Sequence, residues 1–164
     1  DNKVRILPGS ISRFRCLRTL DMHCNELGGV PPDIGECAQL THVDFSHNRL
    51  MGLPTEFGKL TMLHYFNMSD NQVELLPNTL GQLTSLTELN LDNNRLIFIP
   101  VEIEALETSL TKLHAANNVI RDPPNEILVQ GRDALFTYLR RVRNGQKSRE
   151  LVLIDMRLTH VNFN

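Results

Sequence analysis

Apolar residues recur along this chain in one repeated frame. Leu17, Leu20, Met22 and Leu27 set it, and Leu40, Val43, Phe45 and Leu50 repeat it. Leu63, Phe66, Met68 and Val73 follow, then Leu86, Leu89, Leu91 and Leu96, and finally Leu110, Leu113, Ala115 and Ile120. Each set encloses one asparagine (Asn25, Asn48, Asn71, Asn94, Asn118), and Asn2 holds the same place ahead of the first complete set. The intervals between these six are 23, 23, 23, 23 and 24 residues, and each unit closes on a proline: Pro31, Pro54, Pro77, Pro100 and Pro124. A period this strict predicts a solenoid, in which each unit is one turn of a stacked coil that cannot bury its apolar face alone.

Within a unit, the alternation around Leu89-x-Leu91 has period 2 and predicts a short strand with one face buried. The chain must then turn sharply inward. A side-chain amide at that place both donates and accepts, so it satisfies backbone groups that the turn buries. Stacked at about 4.8 Å per strand, Asn25, Asn48, Asn71, Asn94 and Asn118 are expected to form a structural ladder inside the coil. The return arm carries Ile34-Gly35, Phe57-Gly58 and Leu80-Gly81, followed by Cys37, Leu60 and Leu83. Proline in this arm suits an extended or short 3₁₀ path on the outer surface, where no ladder N–H is needed.

The frame L-x-x-L-x-L-x-x-N-x-L resembles that of leucine-rich repeats, and the return L-P-x-x-[IFL]-G-x-L is similar to their intracellular Ras-group type. The resemblance covers residues 2 to about 124. It implies an α/β solenoid: a horseshoe with short parallel β-strands on the concave face, extended or 3₁₀ convex arms and a C-terminal capping helix. It also implies a protein-binding role, in cytoplasmic or nuclear proteins, as part of a larger chain.

The expected organisation is three-part. Residues 1–124 form the repeats, one partial unit and five full ones. The frame opens in mid-unit at Asn2 with no polar cap before it, so a fragment of a longer array is expected. Residues 125–145 form a closing helix, because Ile127, Leu128, Ala134, Leu135, Tyr138, Leu139 and Val142 make one apolar stripe. Arg140, Arg141 and Arg143 fill its last turn, in accord with the helix dipole, and Asn144-Gly145 is read as its stop. Gly131 marks a potential break. This stretch is similar to the closing helix of Ras-group and Roco-type proteins. Residues 146–164 are expected to be a linker and a degenerate strand around Leu151 to Val161, opening a further repeat block or domain.

Charge and cysteine usage narrow the function classes. The net charge of −2 argues against general nucleic-acid binding, which needs a basic face. No run of 18 apolar residues exists, so no membrane span is expected. Cys16, Cys24 and Cys37 are three, unpaired in pattern, which favours a reducing compartment. Cys37 takes the place of Leu60 and Leu83 and should be a buried small hydrophobe. The sequon Asn67-Met68-Ser69 falls in a predicted strand and is read as accidental.

Between the apolar strand positions lie side chains expected to point out of the concave sheet. One column is Thr19, His42, Tyr65, Glu88 and Lys112, and the next is Asp21, Asp44, Asn67, Asn90 and His114. His23, Ser46, Ser69, Asp92 and Ala116 make a third, and Cys24, His47, Asp70, Asn93 and Asn117 a fourth. Asp21, His42, Asp44, Tyr65, Asn67, Glu88, Asn90, Lys112 and His114 are the partner-binding candidates, with Tyr65 the aromatic anchor. Five histidines (His23, His42, His47, His64, His114) lie on or beside this surface. Free drift among polar residues accounts for them best. A metal site from His23, His42 and His47 with Asp21 or Asp44 lacks any tight ligand motif, so no metal is expected. A pH-sensitive partner surface is the third reading. The basic cluster Arg140, Arg141, Arg143, Lys147 and Arg149 is read as a solvated helix end, with an anionic docking surface as the alternative.

No P-loop, dinucleotide turn, G-x-S-x-G elbow or C-x-x-C pair is present. The expectation is therefore a non-catalytic scaffold or adaptor that holds a protein partner on its concave face, with no cofactor. A small-molecule ligand is not expected. The alternative is the regulatory repeat segment of a multidomain signalling enzyme, a Roco-type GTPase or kinase.

Overall fold

The computed structural model describes residues 2–148 and Met156. Five three-residue strands alternate with five 3₁₀ helices, and two helices close the chain. The strands are β1 (Thr19–Asp21), β2 (His42–Asp44), β3 (Tyr65–Asn67), β4 (Glu88–Asn90) and β5 (Lys112–His114). They form one parallel sheet in the order β1-β2-β3-β4-β5. The 23-residue period is also the pairing register: Leu20 faces Val43, Val43 faces Phe66, and Phe66 faces Leu89. Only the last pair shifts by 24, with Leu89 opposite Leu113. Leu83 and Leu86 have two residues between them, whereas Leu106 and Leu110 have three, so the extra residue is absorbed on the outer side before β5.

The convex arms are 3₁₀ helices Gly9–Arg13, Pro32–Glu36, Thr55–Lys59, Asn78–Gln82 and Val101–Leu106. Each starts directly after Pro8, Pro31, Pro54, Pro77 or Pro100, whose ring-fixed φ, from −74° to −57°, leads an extended residue into the turn. The arms stack with little space between them. A Cβ on Gly35 would lie 2.7 Å from the Glu56 carbonyl oxygen, and Gly58 and Gly81 meet Thr79 and Glu102 even more closely. Glycine is therefore required where one arm lies on the next. The same position of the frame is Ser12 in the first arm and Glu104 in the last.

Between sheet and arms runs one continuous core. Val43, Phe66, Leu89, Leu27, Leu50 and Leu96 are fully buried, as is Cys37, whose thiol reaches the Ile11 carbonyl at 3.3 Å. Burial pushes the Cys37 thiol pKa up. Phe57 and Phe66 pack with ring centroids 4.6 Å apart, and Phe45 meets Phe66 edge-on at 6.2 Å. Full burial of each such ring contributes roughly 1.5–3 kcal/mol.

The closing segment comprises α1 (Asn125–Leu128) and α2 (Arg132–Ser148), separated at Gly131, whose φ is +93°. Only glycine adopts that conformation freely, so the chain redirects there. Helix α2 continues through Gly145 to Ser148, beyond the Asn144-Gly145 stop and the expected boundary at 145. Gly145 is buried within α2, where the helix continues rather than stops. Phe136, absent from the expected stripe, is fully buried beside Leu135, Tyr138 and Leu139. Apart from residues 146–148 and Met156, the segment expected as linker and degenerate strand lies outside the described residues.

Candidate concave-face site

The turn that follows each strand builds the site's frame. Cys24, His47, Asp70, Asn93 and Asn117 all have positive φ, between 53° and 56°. Asn and Asp tolerate this left-handed conformation, which explains three of the five identities. The fourth column is therefore a turn position rather than a row of outward-facing strand residues. The asparagine after it closes the turn. Asn71 accepts the Leu50 N–H through Oδ1 at 2.9 Å and donates through Nδ2 to Phe45, Met68 and Ser69 carbonyls. Asn48, Asn94 and Asn118 repeat the scheme with Leu27, Val73 and Leu96 N–H groups. Asn25 accepts from Val4 N–H at 3.1 Å at the more exposed end. Each amide thus joins its own turn to the coil before it.

On this frame the nine candidates stand in two registers. His42, Tyr65, Glu88 and Lys112 are successive partners, as are Asp21, Asp44, Asn67, Asn90 and His114. Tyr65, Asp44, Asn67, Glu88 and Asn90 are half-buried, while Asp21, His42, Lys112 and His114 at the two ends are exposed. The third column does not face outward throughout: Ser46 and Ser69 are buried. Ser46 Oγ donates to Asp44 Oδ1 at 2.6 Å, and Asn67 Nδ2 donates to Asp44 Oδ2 at 3.2 Å. The neighbouring strand thereby orients the Asp44 carboxylate. Asn67 accepts the Ser69 N–H at 3.1 Å, so the sequon's two polar residues serve the turn.

Tyr65 and His42 stack with ring centroids 6.1 Å apart and planes 25° from parallel. Burial foremost, then the charges of Asp44 and Glu88, raise the Tyr65 pKa above its ordinary value. Glu88 accepts from Lys112 Nζ at 2.8 Å and holds the ammonium pKa up. His23 Nδ1 lies 2.5 Å from Asp21 Oδ1, and this hydrogen bond chiefly lowers the Asp21 pKa. His47 faces Asp70 at 3.7 Å, and His64 faces the Met62 carbonyl at 2.7 Å. The histidines have separate partners, and among the described residues no three His, Cys, Asp or Glu side chains converge to hold a metal ion.

Two members of the basic cluster, Arg140 and Arg143, have a structural task, and Arg149 lies outside the described residues. Arg140 pairs with Glu107 at 3.2 Å and Arg143 with Glu104 at 3.1 Å, which fastens α2 to the last convex arm. Arg132 donates to the carbonyls of Leu110, at 2.6 Å, and Glu107, and lies over the Phe136 ring at 4.6 Å. Tyr138 donates to Asp122 Oδ1 at 2.8 Å. A cavity of about 370 Å³ lies where Ala115, in the frame position of Leu91, faces Leu128, Arg132 and Leu135. Beyond the asparagines, exposed Met51, Leu75, Ile97 and Phe98 form an apolar flank that the buried-frame reading did not single out. The signal for it was an apolar residue three or four places after Asn48, Asn71 and Asn94.

No helix among the described residues is long and apolar enough to cross a membrane. No curated protein matches the chain by sequence. Solved structures do. A plant peptide hormone receptor, RGFR1, in complex with RGF2, is 28% identical over 73% of this chain and 19% of that one, with a TM-score of 0.63. The ectodomain of the Arabidopsis thaliana membrane receptor kinase GASSHO1/SCHENGEN3, in complex with Casparian strip integrity factor 2, is 30% identical over 73% of this chain and 14% of that one, at 0.62. An internalin from Listeria monocytogenes is 25% identical over 75% and 35%, at 0.64. The chain thus spans well under half the length of these similar structures. The model of the leucine-rich repeat region matches residues 2–130, and the chain belongs to the leucine-rich repeat family.

Proposed function

We propose that this chain is a non-catalytic interaction module that holds a protein partner on its concave sheet face. The observation that carries the reading is the pair of in-register polar columns around half-buried Tyr65, a sheet face with no element of the described chain laid across it. Aromatic residues in such a half-desolvated centre are the side chains that dominate binding energies. Two of the similar structures are receptors solved with RGF2 and with Casparian strip integrity factor 2, which supports partner binding as the task of this fold. The candidates Asp21, His42, Asp44, Tyr65, Asn67, Glu88, Asn90, Lys112 and His114 would contribute the contacts.

A second reading places the chain as the regulatory repeat segment of a multidomain signalling enzyme of Roco type. The Pro-x-x-[Ile/Phe/Leu]-Gly arms and the docked α2 support it, through the Ras-group pattern they resemble. A cytoplasmic location fits the three free cysteines, of which Cys16 is exposed. Chemical cross-linking of the wild type and of a Tyr65→Ala, Glu88→Lys double variant tests the concave face. Loss of the partner from the variant supports it. Equal capture by both removes it.

A further inference from the structure

The charge on the concave side is segregated from that of the whole chain. Within the strands and the turn residues that follow them stand five carboxylates, Asp21, Asp44, Asp70, Glu88 and Asp92, against one ammonium, Lys112. The full chain carries only −2, so the rest of it has a slight positive excess. Arg18, Arg49 and Arg95 stand outside this band, before β1 or beyond the ladder asparagines. Lys112 is already committed to Glu88 at 2.8 Å. Among the described residues no Lys or Arg pairs with Asp21, Asp44, Asp70 or Asp92, and the donors on Asp44 are the neutral Ser46 and Asn67.

The aromatic pair lies inside this field, in which Asp44 has no Lys or Arg partner and Glu88 shares its charge with Lys112. His42 and Tyr65 stack on adjacent strands, with Asp44 two positions along β2 and Glu88 opposite Tyr65 on β4. A ring face flanked by carboxylates favours a cation twice, through its quadrupole and through direct charge. Anionic and neutral segments gain neither.

We propose that the occupant of this face is a cationic, Lys- or Arg-bearing segment of a protein partner, seated over Tyr65 between Asp44 and Glu88. The proposal rests on the concave-face reading given above. Attraction of this kind guides encounter and weakens as salt screens it.

Fluorescence anisotropy with three labelled peptides tests it: one alternating Arg and Ser, its Glu–Ser counterpart, and a neutral Gln–Ser version. The Arg–Ser peptide should bind, and more weakly at physiological than at low ionic strength. Asp44→Asn and Tyr65→Ala should each weaken it about fivefold or more. Glu36→Gln removes the same unit charge from the exposed convex side and should leave binding unchanged. Equal weakening by Glu36→Gln and Asp44→Asn would mean diffuse attraction and overturn the proposal. Preference for the Gln–Ser or Glu–Ser peptide, abolished by Tyr65→Ala, would keep the concave-face reading and overturn the cationic occupant. Arg–Ser binding untouched by both concave substitutions would overturn both.

Discussion

Gly81 lies so close to the Glu102 carbonyl oxygen that a Cβ placed there would fall well under 3.0 Å from it. The obstacle is backbone, which cannot swing aside as a side chain would. Gly81→Ala should therefore push the last two convex arms apart and cost about 1–3 kcal/mol. Gly28→Ala, with nothing within 4 Å of its Cβ, is the matched control. Urea unfolding of both variants decides the matter, and an unchanged midpoint for Gly81→Ala would sink the close-packing account.

Asn71 is the second target. Its side chain satisfies the Leu50 N–H and three carbonyls at once, all in the interior. Asn71→Ala orphans the Leu50 N–H, while the Phe45, Met68 and Ser69 carbonyls keep Asn48, Asn94 and the His47 N–H as donors, and an orphaned buried group costs about 1–3 kcal/mol. The expected loss exceeds that of Asn25→Ala, because Asn25 is less buried and serves the more exposed end. Similar losses at both positions would show that burial does not set the cost.

Cys24 holds the left-handed turn conformation, at φ 54°, with a side chain less suited to it than the His, Asp and Asn at the matching positions. Cys24→Asn should raise stability by about 0.5–1 kcal/mol, since Asn relieves part of the strain that the cysteine bears there. Thermal melts at pH 7 read the difference, and a lower melting temperature would refute the strain argument.

Tyr138 gives a pH signature. Burial, and then its hydrogen bond to Asp122, raise its pKa above the ordinary tyrosine value. The unfolded phenol ionises near pH ~10 while the folded one stays protonated, so the contribution is fully present below that pH and is lost as pH rises past it. Tyr138→Phe should cost about 0.5–1.5 kcal/mol at neutral pH. The gap between wild type and variant should narrow above pH ~10. A constant gap from neutral to alkaline pH would mean the hydroxyl is not held neutral.

The strand positions, the arm prolines and the buried Cys37 were legible because a repeat reports each requirement several times over. The turn column was not. Asp70, Asn93 and Asn117 look like polar surface residues, and only the backbone dihedral shows that conformation selected them. Ser46 and Ser69 misled for the opposite reason: alternation placed them outward, whereas the inward turn takes them under the neighbouring Asp44 and Asn67 side chains. The extent of α2 was misread because Asn-Gly signals a stop only where the glycine is free, and Gly145 is buried within α2. The pairing of Arg140 and Arg143 with Glu107 and Glu104 joins residues more than thirty positions apart, which no local pattern reveals.

The extra residue between Leu106 and Leu110 shows how such a chain tolerates change. Every ladder amide reaches one coil back by the same bonds, so copying or deleting a complete unit restores each partner in kind. A single inserted residue between strand and asparagine would instead misplace all of them. This chain carries its one irregularity on the outer bend, where a 3₁₀ arm lengthens from five residues to six and the amides on either side keep their partners. An architecture that takes a change of length on the outside leaves the inner face free to change its recognition residues one column at a time.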